Sequence, residues 1–232
     1  RFVENSDIAR LNSALPGEIV EVGMEVFDCL TRAVEMYEQT GGAFDITVGA
    51  LYECWLNDDR TVRRPSEAEV ERARELTGMN HLKMDTESFG VEVLAEGLQV
   101  DLGGIGKGFA AEKVADILRE WSLAQALVLA GASSVLSVSV PDGMSGWPMR
   151  LSNPSKPGEI LARFELTEGA ISGSGRQKGQ HIIDPREAAA GPVEGRLAAW
   201  SMAPDAVAAD ASSTAFMVLE PQEIDDYCLA NH

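Results

Sequence analysis

The residues predict a chain built of both helices and strands, and three observations carry that expectation. Over 24–39, Val26, Leu30, Ala33, Val34 and Tyr37 recur at helical spacing. Over 89–94 and 98–102, apolar and polar side chains alternate as in a hairpin turning at Ala95-Glu96-Gly97. The second of these runs leads through Val100-Asp101-Leu102-Gly103-Gly104-Ile105-Gly106-Lys107-Gly108 into an amphipathic stretch at 109–121, and four glycines fall within residues 103–108. Glycine lets a backbone bend tightly and lets bare N–H groups approach a bulky anion. A steric need for glycine at a strand-to-helix turn weighs about as much. The loop is no Walker A motif, because Gly108 follows Lys107 where Ser or Thr is required. The spacing Gly104, Gly106, Gly108 also misses the dinucleotide fingerprint.

Taken in order, Ser6 reads as the N-cap of a short helix to Ala14, with Ile8, Leu11 and Asn12 on one face. Gly41-Gly42 stops the helix at 24–39. Asp45 then sits inside the apolar and hydroxyl-bearing run 43–51, and a buried carboxylate requires partners. Residues 56–65 form a charged loop, and Ser66 with Glu69 has capping-box spacing for a helix to Thr77. His81 to Met84 is a short strand with His81 at its edge. The helix at 109–121 is expected to bury Ala111, Val114, Ala115 and Leu118. Further strands follow at 126–140, broken at Gly131, and at 147–151, 159–166 and 197–203. Ala170 to Gly175 reads as a small-residue turn able to hold a ligand against the backbone.

His181 precedes Ile182-Ile183-Asp184 and is the best placed of the three histidines for chemistry, although an isolated histidine is more often structural. Residues 206–219 form a helix of small side chains, in which Asp210 and Thr214 stand at i and i+4 and so share one face. Oxygen ligands of this kind suit Mg²⁺ rather than zinc. Close helix–sheet packing, with Asp210 favoured by the helix dipole, is the competing explanation.

Composition excludes several classes. The 232 residues carry 19 Lys and Arg against 37 Asp and Glu, a net charge of −18 that repels nucleic-acid phosphates and anionic lipid. No apolar run reaches the about 18 residues that a membrane span needs. Cys29, Cys54 and Cys228 are too few for a disulfide framework and lack zinc spacing, so each reads as a buried or half-buried thiol. The chain opens at Arg1 without a start Met or a signal peptide, which reads as a trimmed piece from which address information was removed.

The succession S-D-I-A-R-L-N, G-G-A-F-D-I-T-V-G, D-L-G-G-I-G-K-G-F-A, A-I-S-G-S-G, H-I-I-D-P and A-D-A-S-S-T-A resembles the ApbE-type FAD:protein FMN transferase family from residue 6 to about 219. The resemblance implies an α+β fold, with mixed or antiparallel sheets, flanking helices and two lobes around a flavin cleft, as a single domain over 1–232. It implies Mg²⁺-dependent cleavage of FAD, transfer of FMN to a Ser or Thr hydroxyl of an acceptor protein and release of AMP. Hydrolysis of FAD to FMN and AMP, or flavin binding without turnover, are the alternative activities. It assigns Asn12, Ala43, Phe44, Asp45, Asp101, Lys107, His181 and Ile182 to the FAD site. It assigns Asp210 and Thr214 to Mg²⁺, helped by backbone oxygen at Gly104 or Ala170 and by Ser213. The expected catalytic residues are Asp210 and His181, with His181 or a nearby carboxylate as proton acceptor for the hydroxyl, while Lys107 faces either phosphate or Asp101.

Family members are commonly exported and lipid-anchored, so the resemblance also implies a periplasmic or cell-envelope protein. The chain departs from the family pattern in several places. The upstream strand carrying Met-Gly-Thr has no counterpart. Ala132-Ser133-Ser134 replaces a G-G-D-like turn, Gly173 replaces the Thr of T-S-G, Glu187 to Ala190 replace T-G-x after D-P-R, and the loop 176–180 is short. These changes surround the place where substrate and acceptor would meet.

Overall fold

The computed structural model describes residues 3–57, 59, 61–156, 158–176, 182–186 and 191–231. They divide into two units, one drawn from 1–102, 180–193 and 218–232, the other from 103–179 and 194–217.

In the first unit, α1 (Asp7–Leu11) starts where the Ser6 hydroxyl accepts the Ala9 N–H at 3.2 Å. Helix α2 (Met24–Gln39) has its predicted bounds and ends at Gly41 and Gly42, whose φ of 58° and 81° a side chain would oppose. Its buried stripe is Phe27, Cys29, Leu30, Ala33 and Met36. Val26, Val34 and Tyr37 flank that stripe half-buried. Cys29 lies within it, and burial pushes its thiol up to about 12. Helices α3 (Gly49–Cys54) and α4 (Glu67–Glu75) pack around Leu51, Ala73 and Ile183. The Ser66–Glu69 capping box is formed as expected. Helix α7 (Pro221–Asn231) was not anticipated from the sequence.

Three strands, β1 (Ile19–Glu21), β2 (Leu82–Asp85) and β3 (Gly90–Val93), pair antiparallel in the order β1-β3-β2. The expected hairpin around 95–97 is therefore not made. Both edges of β3 are taken, by β1 and β2, so β3 has no edge left for 98–102 to pair with. That segment is held otherwise: Gln99 makes a parallel bridge to Val48, and the Asp101 N–H donates to the Ile46 carbonyl at 2.7 Å. Asn12 spans Val100, its amide donating to the carbonyl at 3.0 Å and its oxygen accepting the N–H at 2.7 Å.

In the second unit, β4 (Leu127–Ala130), β5 (Ser134–Ser137), β8 (Gly169–Gly175) and β9 (Ala198–Ala203) form an antiparallel sheet in the order β4-β5-β8-β9. Strands β6 (Trp147–Ser152) and β7 (Ile160–Leu166) pair as a separate ribbon. The stretch 170–175 is thus an interior strand and not a turn. Its small residues serve packing: a Cβ on Gly173 would lie 2.8 Å from the Trp200 ring on β9.

Helices α5 (Gly106–Glu120) and α6 (Ala206–Ala215) pack on this sheet and on each other. Their core is Ala111, Ala115, Leu136, Ala170, Ala206 and Ala209. Val114, expected inside, is 45% exposed, because the narrow contact is filled by the alanines on the neighbouring face of α5. At Gly108 the two helices approach so closely that a Cβ would sit 2.1 Å from the Ala206 carbonyl oxygen and 2.9 Å from the Asp210 Cβ. Gly108→Ala should therefore lower stability by about 1–3 kcal/mol, the usual cost of overpacking, as read from urea unfolding midpoints.

Candidate functional site

The second unit encloses a carboxylate. Asp210 on α6 is 0% exposed, and a charge so buried persists only when paired and hydrogen-bonded. Its partners come from three other elements. Lys107 Nζ on the first turn of α5 donates at 2.7 Å to Oδ1 and 3.1 Å to Oδ2, and the Gly108 N–H donates to Oδ2 at 3.0 Å. Ser134 Oγ from β5 and Ser172 Oγ from β8 donate to Oδ1 at 3.3 and 3.0 Å. Those serines are cross-strand partners, which brings their oxygens to 2.7 Å from each other. A carboxylate offers about four lone-pair sites, so Asp210 is saturated. The glycine loop, unassigned to either familiar phosphate scheme, is what brings Lys107 and the Gly108 N–H to Asp210.

Thr214 and Ser213 face a different group. Ser213 Oγ donates to the Asp210 carbonyl at 2.8 Å, and Thr214 Oγ1 does so at 3.4 Å. Both hydroxyls also meet Ser174 Oγ, at 2.9 and 3.0 Å. Spacing of i and i+4 suggested that the Asp210 carboxylate and the Thr214 hydroxyl act together. Instead the hydroxyl folds back on the main chain, as Ser and Thr do inside helices, and the carboxylate is taken by Lys107. The candidate backbone ligands differ as well. Gly104 precedes α5 in the loop, while Ala170 is interior to β8 and 1% exposed within the alanine core. Ser134, Ser172 and Ser174 were missed as partners. The alternation of Ser172 and Ser174, which puts both on one face of a strand, was the available signal.

The donors here are oxygens, a hard set of the kind Mg²⁺ takes, and the Lys107 ammonium stands where a cation fits. The fit is chemical rather than a carboxylate cluster: among the described residues no three His, Cys, Asp or Glu side chains converge.

The first unit holds the remaining assigned residues. Ala43 and Phe44 are 4% and 3% exposed, so neither presents a side-chain surface. Asp45 Oδ1 accepts the Thr47 N–H at 2.7 Å and its hydroxyl at 2.5 Å, and the Thr47 oxygen accepts the Gly78 N–H at 2.7 Å. Burial pushes the Asp45 carboxyl up, and the Thr47 bonds and the charge of His81 only partly offset it. Asn12, assigned to flavin, spends its side-chain amide on the Val100 backbone and so positions the segment that carries Asp101. Lys107 meets Asp210 and the Gly103 carbonyl, the latter at 3.4 Å, in place of the Asp101 pairing considered from sequence. Ile182 is buried, its carbonyl accepting the Val193 N–H at 2.8 Å. His181 lies outside the described residues. Asp184, nearby in sequence, is held by Arg186 at 2.8 and 3.0 Å, and Arg186 also reaches Glu223 at 2.7 Å.

A raised carboxyl binds its proton more readily in the folded chain than in the unfolded one. Stability is then lost as pH rises from the ordinary carboxylate range to the raised value, and is not regained above it. Asp45→Asn removes that loss while keeping an oxygen for Thr47. Its melting temperature relative to the parent should rise with pH between about 4 and 8; a difference independent of pH would show the buried charge to be unimportant.

The sequence model of the ApbE family matches residues 1–232. The FAD:protein FMN transferase of Escherichia coli K12 is 27% identical over 237 residues, which cover 96% of this chain and 67% of that protein. The FAD:protein FMN transferase of Treponema pallidum is 30% identical over 240 residues, 93% of this chain and 66% of its own length. The chain thus spans about two thirds of the length of these curated relatives. Among solved structures, the ApbE protein of Thermotoga maritima matches with a TM-score of 0.85 at 30% identity, covering 97% of this chain and 75% of its own. The apo form of the Pseudomonas stutzeri flavinyl transferase ApbE matches at 0.83 and 26%, over 97% and 72%. With its whole length matched and its α+β architecture shared, the chain belongs to the ApbE family.

Proposed function

We propose that the chain transfers FMN from FAD to a Ser or Thr hydroxyl of an acceptor protein, releasing AMP, in a reaction that uses Mg²⁺. The observation that carries this reading is the buried Asp210 carboxylate, held by the lysine and an N–H of the glycine loop and by hydroxyls of β5 and β8, in a family whose relatives bear the name FAD:protein FMN transferase. Bound at Asp210, Mg²⁺ would neutralise charge on the diphosphate oxygens as a Lewis acid.

The chain's own groups have separable tasks. Asp210 provides the anionic anchor, with its geometry fixed by the Gly108 N–H, Ser134 and Ser172. Donors aimed beforehand at one position cost no reorganisation during reaction. Ser213 and Thr214 on α6, with Ser174 facing them from β8, supply neutral oxygens. Backbone at Ala43 to Asp45, together with Asp101 and Ile182, provides the flavin contacts, and Asn12 acts on Asp101 through Val100. The acceptor hydroxyl attacks the phosphorus of the FMN half, the bond to the AMP oxygen breaks, and the hydroxyl proton passes to a base. His181 is the proposed base; Asp184 is a poor substitute because Arg186 donates to both its oxygens.

Incubation with FAD, Mg²⁺ and an acceptor bearing Asp-Gly/Ala-x-Ser/Thr should give AMP and covalently attached flavin. AMP with free FMN would instead mark a pyrophosphatase, and bound but unchanged FAD a binding module. Asp210→Asn, with its fold checked by circular dichroism, should lose at least ~100-fold in AMP release.

A further inference from the structure

Among the described groups that hold the Asp210 carboxylate, Lys107 is the one placed to leave. Gly108 donates from the backbone of α5, and Ser134 and Ser172 are buried on paired strands. Lys107 is 36% exposed at its side chain, on a flexible four-carbon stem, and its other bond, to the Gly103 carbonyl, is long at 3.4 Å. Yet Lys107 bridges both carboxylate oxygens, and the remaining acceptor capacity is filled by the other donors. A divalent cation and the ammonium therefore draw on the same lone pairs. Two cations sharing one buried carboxylate would also repel each other strongly where the dielectric is low.

We propose that Lys107 is the resident counter-ion of Asp210, and that a divalent cation displaces it, freeing its ammonium for an anion. This rests on the reading that Asp210 anchors the metal. Metal entry then exchanges one cation for another at the carboxylate, so Asp210 is never left bare. The displaced Lys107 carries its positive charge on a partly exposed stem, available to a phosphate oxygen of the substrate. Lysine suits this exchange because its point charge has no fixed fork geometry to rebuild. In the metal-free protein the same lysine opposes metal binding, so Mg²⁺ alone binds weakly and binds better when a diphosphate takes the ammonium.

The test is Mg²⁺ titration of the full chain without FAD, at pH 8, followed by calorimetry and by the shift in melting temperature. Lys107→Met should bind Mg²⁺ roughly tenfold tighter than the parent and show a larger Mg²⁺-induced shift, because its competitor is gone. Lys107→Arg, which keeps a charge beside Asp210, should stay weak. Where Lys107→Met does not fold, the parent itself reports: Mg²⁺ should raise the rate at which acetic anhydride modifies Lys107, read by mass spectrometry. Equal Mg²⁺ affinity in parent and Lys107→Met, with binding abolished by Asp210→Asn, overturns the displacement while leaving Asp210 as the metal anchor. Mg²⁺ binding that survives Asp210→Asn overturns both. An acetylation rate unchanged at saturating Mg²⁺ likewise overturns the displacement.

Discussion

A fully buried carboxylate constrains the whole second unit. Asp210 has no exposure, and removing one partner of such a pair typically costs several kcal/mol, about 3–5, because the other is left uncompensated. Its partners must therefore be supplied from α5, β5 and β8 together, and each of those elements carries a residue choice that fits this demand. The start of α5 needs Gly108, because any side chain there would strike Ala206. The facing positions of β5 and β8 are serine, where a strand buried against helices would otherwise favour Val or Ile. The alanines of α5 and α6 keep the helices near enough for a lysine and an N–H to reach across. Packing and polarity are thus one problem with one solution, and that solution leaves an ion pair with one buried and one partly exposed member.

The first unit solves the same problem with side chains that imitate backbone. Asn12 presents an amide to Val100 as a neighbouring strand would, and Asp45 with Thr47 gathers N–H groups from Thr47 and Gly78. These bonds order segments that belong to no sheet, including 98–102. Ordered irregular backbone of this kind is where binding functions concentrate, since it offers unpaired groups on a rigid frame. It also explains why Asn12 looked like a ligand contact: a polar residue among apolar neighbours signals a partner without saying which.

Two hydroxyl sets flank Asp210, one from the strands on its carboxylate and one at its carbonyl, where α6 meets β8. Ser134 and Ser172 are donors to charge, and Ser174, Ser213 and Thr214 close on one another and on the main chain. The first set fixes the anion, while the second keeps neutral oxygens in reserve beside it. A departure from the family pattern falls between them. Gly173 lies against Trp200, so the missing side chain is accommodated by cross-strand packing and the adjacent Ser174 keeps its hydroxyl in the cluster.

The sequence by itself determined the local elements whose cause is local. The bounds of α2, the Ser6 cap, the Ser66–Glu69 capping box and the two strands β6 and β7 follow from spacing, turn residues and side-chain hydrogen bonds a few positions apart. The ordered motifs were also sufficient to point to the ApbE family before any contact was known. Tertiary structure alone decided the rest, because the deciding interactions join distant residues. Lys107 and Asp210 are 103 positions apart, and Asn12 and Val100 are 88 apart. The false hairpin at 95–97 and the false turn at 170–175 failed for a shared reason. Alternation and small residues say that a segment is extended or closely packed, whereas the free edge it finds depends on every other strand in the sheet. So the charge of the glycine loop was legible in the sequence, but its partner was not: a lysine's choice between Asp101 and Asp210 is settled by which carboxylate the fold has buried.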